Sequence, residues 1–224
     1  MDGELTQTIE EYLEGIYRLQ ERWGIAKTGD LVKLFNVSPG TVTNTIERLE
    51  RKGFIVHSTY KGVRLTEKGL KIALKVIRKH RLSERLLTDV LQLEWHESHE
   101  AACQLEHSIS DKIAKKIEEL LGYPKTCHHG NPIPTENGRM IERENLQPLV
   151  EAGVGEERII TRITSEEPEL LKYFNRLGLK PERSIEIIEK APFNGPLTIK
   201  IGESIHALDH RLASIIMVKK GGGG

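Results

Sequence analysis

The sequence predicts a mainly α-helical protein with a small β portion: a winged helix-turn-helix, a helical middle segment and a C-terminal small β-barrel. Three observations predict it. Two short amphipathic helices meet just before Ser38-Pro39-Gly40-Thr41 and are followed at once by a hairpin pattern. His99, Cys103, Glu106 and His107 stand at i, i+4, i+7 and i+8, so one continuous helical face carries ligand-type side chains where Leu and Ile are usual. From about Gly155, short strand-like runs separated by Pro, Gly and Asn replace the helical period.

The elements follow in order. Thr8-x-x-Glu11 is a capping-box pattern ahead of Ile9, Leu13, Ile16 and Tyr17, which predicts a helix over about 8–22 ended by Gly24. Thr28 opens a short helix with Leu31, Val32 and Phe35 inward. Ser38 caps a third with Pro39 at its first position, where no donor is lost. Two such helices read as a helix-turn-helix. FIVHS and GVRLT, around Thr59-Tyr60-Lys61-Gly62, read as the wing. Thr66 then caps a long helix to about Val90, and two amphipathic stretches follow over about 96–109 and 110–121. Pro124, Gly130, Pro132 and Pro134 punctuate an irregular stretch. RIITRIT, SIEIIEK, LTIKIG and ASIIMV supply the barrel strands, with a helical insertion near Pro168–Leu177. The expected boundaries are 1–73 for the winged domain, 74–140 for the helical domain, 141–154 for a linker and 155–220 for the barrel. The terminal GGGG reads as a flexible tail.

With 224 residues, 38% hydrophobic and 29% charged, the chain is expected to be soluble and to form two or three units. No apolar run approaches the roughly 18–20 residues that span a bilayer. The start, MDGELTQTIE, is acidic and polar, so neither a signal peptide nor a membrane partner is expected and the cytoplasm is the default. Two cysteines make no disulfide framework, and both lie beside histidines. The net charge is +0, but between Ser38 and Arg64 five bases (Arg48, Arg51, Lys52, Lys61, Arg64) oppose two acids (Glu47, Glu50), a local basic face suited to nucleic acid.

The chemistry lies in two stripes. His80 and Glu84 repeat the i, i+4 spacing of the first stripe on another helix, and two helices so equipped can enclose a divalent transition metal. Cys127-His128-His129 is a further run of ligand types in a loop, to which the sequence assigns no role. His206 and His210 are expected at the surface. No Ser/His/Asp or HExxH arrangement is present, and the ligand count looks closed, so no enzyme is expected. At the start of the third helix, Ser38, Pro39, Gly40, Thr41, Thr43 and Asn44 suit a major groove: small side chains allow close approach, Thr methyls can meet thymine methyls, and Asn44 can bond a base edge. Thr28, Thr41, Thr43, Arg48, Arg51 and Lys61 are phosphate candidates. Arg48 and Arg51 can alternatively pair with Glu47 or Glu50 on a solvated face.

TIEEYLEGIYRL, SPGTVTNTIERLERKG, LTEKG, IRKHRLSERLLTDVL, HEAACQLEH and HGNPIP together resemble the DtxR/MntR (diphtheria-toxin-repressor-like) metal-dependent transcriptional regulators along nearly the whole chain. The last segment resembles the SH3-like (FeoA-type) third domain of the longer members. The resemblance implies a homodimer that binds palindromic double-stranded operator DNA when a divalent metal fills two sites per subunit, and that represses metal uptake. By position, Cys103, Glu106 and His107 match the primary ligands, together with Glu11. His80, Glu84 and His99 match the ancillary site, with Glu166 and Glu169 the expected additions from the barrel. Glu11 departs from the iron type, which has Met there, and Glu14 matches a carboxylate of the manganese type, whereas Cys103 is the iron-type residue. Thiolate softness favours Fe(II), with Mn(II), Co(II), Ni(II) or Zn(II) as alternatives. The family places the proline one position later than Pro39, so base preference does not carry across. A winged-helix regulator with structural zinc and an organic effector is the alternative reading. Glu11, near the start of the first helix, is the expected lever between metal and reading head.

Overall fold

A computed structural model describes residues 5–58, 60–140 and 145–220. The glycine tail, the acidic first four residues, Thr59 and the first residues of the expected linker lie outside them. The chain divides into two compact units, each described by itself. The first comprises Met1–His80, Leu105–Lys116 and Pro134–Ile141; the second comprises Arg81–Gln104, Ile117–Ile133 and Glu142–Gly224.

In the first unit, α1 (Gln7–Trp23), α2 (Thr28–Phe35) and α3 (Pro39–Arg51) precede an antiparallel hairpin of β1 (Ile55–Ser58) and β2 (Gly62–Leu65). Leu13 and Ile16 of α1, Leu31 of α2, Val42 and Leu49 of α3 and Val63 of the hairpin are fully buried in one core, so the helix-turn-helix and its wing share one hydrophobic interior. A bridge between Ala26 and Val63 ties the α1–α2 connection to the wing. The capping box of α1 does not form. Its cap is Thr6, without a side-chain bond, and Glu11 Oε1 instead accepts from Gln7 Nε2 at 2.9 Å. The Ser38 cap does form, with Thr41 N donating to Ser38 Oγ at 3.2 Å.

Helix α4 (Glu67–Arg85) begins at Thr66, whose Oγ1 accepts from Gly69 N at 3.1 Å, and ends in a π-helical turn over Leu86–Val90. Helices α5 (Ser98–Glu106) and α6 (Asp111–Leu120) follow. Like α4, each contributes residues to both units. In the first unit, Lys75 and Lys79 of α4 reach Asp111 at the start of α6, at 2.8 and 3.2 Å.

The second unit is built on a six-stranded antiparallel SH3-like sheet in the order β3-β8-β4-β5-β6-β7. Its strands are β3 (Gln147–Pro148), β4 (Glu157–Ile163), β5 (Ser184–Lys190), β6 (Leu197–Ile201), β7 (Ser204–Leu208) and β8 (Ile216–Lys220). Between β4 and β5 lies α7 (Pro168–Leu177), which covers the core with Leu171 and Phe174. Two features differ from the expectation. β7 is a separate strand, and residues 210–214 form a short helix, α8, so the ASIIMV run starts helical and becomes strand only at Ile216. β3, within the stretch expected as linker, pairs with β8. Among the described residues, no helix is long and apolar enough to cross a membrane.

Candidate metal centres and nucleic-acid interface

The start of α3 presents a small, polar surface. Ser38, Pro39, Gly40, Thr41, Thr43, Asn44, Arg48 and Arg51 are all exposed, while Val42, Ile46 and Leu49 face inward. Thr43 Oγ1 donates to Pro39 O at 3.0 Å, so its hydroxyl is engaged by its own helix. Arg51 Nε donates to Glu47 O at 3.4 Å. Glu50 Oε1 accepts from His57 N at 3.0 Å, fastening α3 to the wing. Lys61 is exposed beside Tyr60 at the wing tip, and Thr28 is half-buried at the first turn of α2.

In the first unit a cluster of donors gathers from three helices. α1 supplies Glu10, Glu11 and Glu14, α4 supplies His80, and the end of α5 supplies Glu106, with His107 next in the chain. His80 Nδ1 lies 2.6 Å from Glu106 Oε2, and His107 Nε2 lies 3.1 Å from Glu106 Oε1. On the other side of the ring, His107 Nδ1 lies 2.8 Å from Glu10 Oε2, whereas Glu11 Oε1 is 4.0 Å from His107 Nε2 and its side chain is 41% exposed. One ligand atom each from Glu14, His80 and Glu106 fit within 4.8 Å of one another, all three residues buried. Burial pushes the Glu106 carboxyl above its ordinary pKa; the hydrogen bond and charge of His80 oppose this, and the Glu14 charge adds to it. Glu10 and Glu14 lie outside the primary set of Glu11, Cys103, Glu106 and His107 that the resemblance implies; the signal for Glu14 is its match to a manganese-type carboxylate.

The second unit holds another cluster. Glu84 Oε1 lies 3.3 Å from His129 Nδ1 and 3.3 Å from His99 Nδ1. Cys127 Sγ lies 3.9 Å from His129 Nδ1, and Glu84, Cys127 and His129, all buried, offer ligand atoms within 4.8 Å of one another. Glu166 Oε2 approaches His99 Nδ1 at 3.8 Å, and its Oε1 accepts from Asn131 Nδ2 at 2.9 Å. Cys103 is exposed, with its Sγ 3.9 Å from His99 Nε2. Glu169 stands at the surface of α7, paired with Lys172 at 3.0 Å. The sequence assigns no role to Cys127 and His129; the signal available was the run of ligand types itself.

A tight loop makes this burial possible. Cys127 N donates to Asn131 O and Gly130 N donates to Cys127 O, both at 2.9 Å. Gly130 has φ +77°, and a Cβ there would stand 1.9 Å from Thr161 O, so only glycine lets the loop approach β4 so closely. The Trp95 ring lies 5.2 Å from that of His129, and its Nε1 is tied to Asn175 Oδ1 at 2.8 Å. Burial, then the Glu84 charge, pushes the Cys127 thiol up. For His129 burial works in the opposite direction, but the Glu84 charge and hydrogen bonds to Cys127 and Glu84 outweigh it and hold the imidazole well above its ordinary pKa.

A divalent cation fits both donor sets. The first offers two carboxylates and imidazole without sulfur; the second offers thiol, imidazole and carboxylate, with His129 Nε2 buried and without a hydrogen-bond partner among the described residues. The Glu106 carboxyl and the Cys127 thiol, both pushed toward their protonated forms by burial, are groups that a cation would relieve, with release of protons.

Residues 4–63 match the family model described as "Iron dependent repressor, N-terminal DNA binding domain". Residues 66–135 match "Iron dependent repressor, metal binding and dimerisation domain", and residues 147–220 match "FeoA domain". The chain is 32% identical over 231 residues to the iron-dependent repressor IdeR of Mycobacterium tuberculosis, covering 97% of this chain and 99% of that one. It is 37% identical over 131 residues to the diphtheria toxin repressor of Corynebacterium glutamicum, covering 58% of each. Among solved structures, a manganese-dependent transcriptional repressor in complex with manganese superposes with a TM-score of 0.85 at 29% identity, covering 95% of this chain and 99% of that one. T. acidophilum IdeR superposes with a TM-score of 0.82 at 26% identity, covering 98% and 100%. The helix-turn-helix with its wing, the helices that follow and the FeoA-type sheet correspond in order to the three matched family models, and the chain belongs to the diphtheria-toxin-repressor-like family of iron-dependent repressors.

Proposed function

We propose that this chain is a metal-dependent, DNA-binding transcriptional repressor that acts as a homodimer on a palindromic operator and controls metal-uptake genes. The observation that carries the reading is the meeting of α1 with the end of α5. α1 shares its core with the helix-turn-helix, and its Glu10 and Glu14 stand with His80, Glu106 and His107 in one donor cluster. Glu11, Glu14, His80, Glu106 and His107 would hold the first ion; Glu84, His99, Cys127, His129 and Glu166 would hold the second. Cys103 remains a ligand candidate on α5.

A bound divalent ion would add positive charge to the crowded carboxylates and fix one arrangement of their side chains. Without it, burial and the Glu14 charge work against ionisation of Glu106, only partly opposed by His80, and looser packing of α1 would be favoured. Restraining α1 restrains α3, whose exposed start would read base edges while Arg48, Arg51, Thr28 and Lys61 meet phosphates. In a dimer, two such helices would need centres about 34–36 Å apart, or a multiple, to enter successive major grooves. α6 exposes Ile113 and Leu120, two helical turns apart, and these would form part of a dimer face. The coupling is a population shift limited by the difference in metal affinity between the two arrangements. Nothing in the reading calls for catalysis.

Fe(II) and Mn(II) are the ions proposed. The sulfur of the second centre and of Cys103 favours Fe(II), while the sulfur-free Glu14, His80 and Glu106 set favours the harder Mn(II). The test is anaerobic titration of metal-free protein with Fe(II), Mn(II), Co(II) and Zn(II) in the presence of operator fragments. Operator affinity that rises with one or more of these ions supports the reading, and chelated protein that binds as tightly as loaded protein ends it.

A further inference from the structure

Glu14 is a buried carboxylate gripped by an internal cation. Its Oε1 accepts from Arg18 Nε at 3.0 Å and from Arg18 Nη2 at 2.7 Å, one turn further along α1. The Glu14 side chain is 9% exposed and that of Arg18 34%, so the guanidinium reaches inward from the surface. The same carboxylate belongs to the donor set it forms with His80 and Glu106. Arg18 therefore satisfies a group that the first metal centre would use.

Resting on the functional reading above, we propose that Arg18 is a built-in counter-ion of the first centre: it neutralises Glu14 in the metal-free protein and so sets the metal concentration at which the centre fills. A guanidinium with two hydrogen bonds to one carboxylate oxygen is a strong, permanently charged partner. It lowers the negative potential that a divalent ion meets at the donor set, and it does so where part of the water is excluded and screening is weak. Removing the charge leaves Glu14 beside Glu106 without this compensation. The metal-free state becomes less stable, and the ion gains the attraction that Arg18 had cancelled.

These two effects have opposite signs, which separates them from a packing role. Loss of an i, i+4 helix contact alone would lower stability and leave metal affinity unchanged or weaker. The full-length variants Arg18→Gln and Arg18→Met, with Arg18→Lys as the charge-keeping control, are titrated anaerobically with Co(II) and Mn(II). The Co(II)-thiolate charge-transfer band reports the sulfur-containing centre, so the titrations are repeated on a His129→Ala background, where the remaining ligand-field bands report the oxygen- and nitrogen-ligated first centre. Both uncharged variants are expected to bind at the first centre about tenfold more tightly, within the roughly 5–150-fold range of a single coupling. They are also expected to melt at lower temperature without metal, while Arg18→Lys stays near the parent. On a Glu14→Gln background, loss of Arg18 should leave affinity unchanged.

Unchanged or weaker binding by the folded, uncharged variants overturns the proposal. Should both variants unfold without metal, refolding on addition of Co(II) supports it and failure to refold overturns it. If the parent protein itself takes up no ion at the first centre, the functional reading fails and this proposal with it, an outcome visible before any variant is made.

Discussion

His107 Nδ1 stands 2.8 Å from Glu10 Oε2, which ties the first helix of the reading head to the residue following α5. Nδ1 of His107 thus faces Glu10, while Nε2 is turned toward Glu106 at 3.1 Å, so the Glu10 carboxyl stands behind the nitrogen directed away from Glu106. A carboxylate behind a ligand imidazole orients the ring and raises its basicity.

Glu10→Gln should therefore weaken metal binding by about 10–100-fold without unfolding the protein. His107→Ala and Glu106→Ala should go further and remove metal-stimulated operator binding altogether. Gel-shift titrations with and without metal, beside far-UV circular dichroism, check all three.

His129→Ala should lower the metal content of the saturated protein from two ions per subunit to one, as native mass spectrometry would count them. Gly130→Ala should have the same consequence through the backbone. Its Cβ would collide with Thr161 O, so the loop carrying Cys127 and His129 must withdraw.

On the DNA side, Arg48→Ala should weaken binding to every sequence alike and reduce the slope of log affinity against log salt by about one unit. Asn44→Ala should instead relax discrimination at one base pair, at a cost of about 1–3 kcal/mol on the preferred operator only. Fluorescence anisotropy at several salt concentrations, on matched and scrambled duplexes, separates the two.

Asp111 offers a test of pH dependence away from both centres. Hydrogen bonding from Lys75 is the main cause that holds its carboxyl below the ordinary aspartate pKa; burial opposes it, and the Lys79 hydrogen bond with the charges of both lysines adds to it. A depressed folded-state pKa stabilises the fold above the unfolded-state value, and that contribution disappears as pH falls through the folded-state value. The carboxylate is 54% exposed, so screening keeps the contribution within about 1 kcal/mol. Asp111→Asn should lower stability by no more than this at neutral pH. The gap should narrow with added salt and close as the pH drops below the usual aspartate range of about 3.9. Urea unfolding at a series of pH values measures it.

Much of the helical architecture was legible because its causes are local. Ser38 followed by Pro39 starts α3 through a cap and a pre-set φ. Pro168 and Gly178 bracket α7 for similar reasons. The stripe of ligand types over 99–107 is visible because α5 has a helical period.

What escaped depended on partners distant in the chain. Glu11 is a local exception: it was open to a capping box and bonds Gln7 instead, since the helix is capped at Thr6, two residues earlier than the box requires. β3 and β7 are short runs that become strands only because β8 and β6 lie beside them. His80 and Glu84 sit one turn apart on α4, yet His80 meets Glu106 while Glu84 meets His129 and His99. Helical spacing decides which side chains share a face; it carries no information on which other segment arrives at each end of that face. Cys127 and His129 are donors beside Glu84 because Gly130 and Asn131 fold their loop against β4, and no local periodicity encodes that approach.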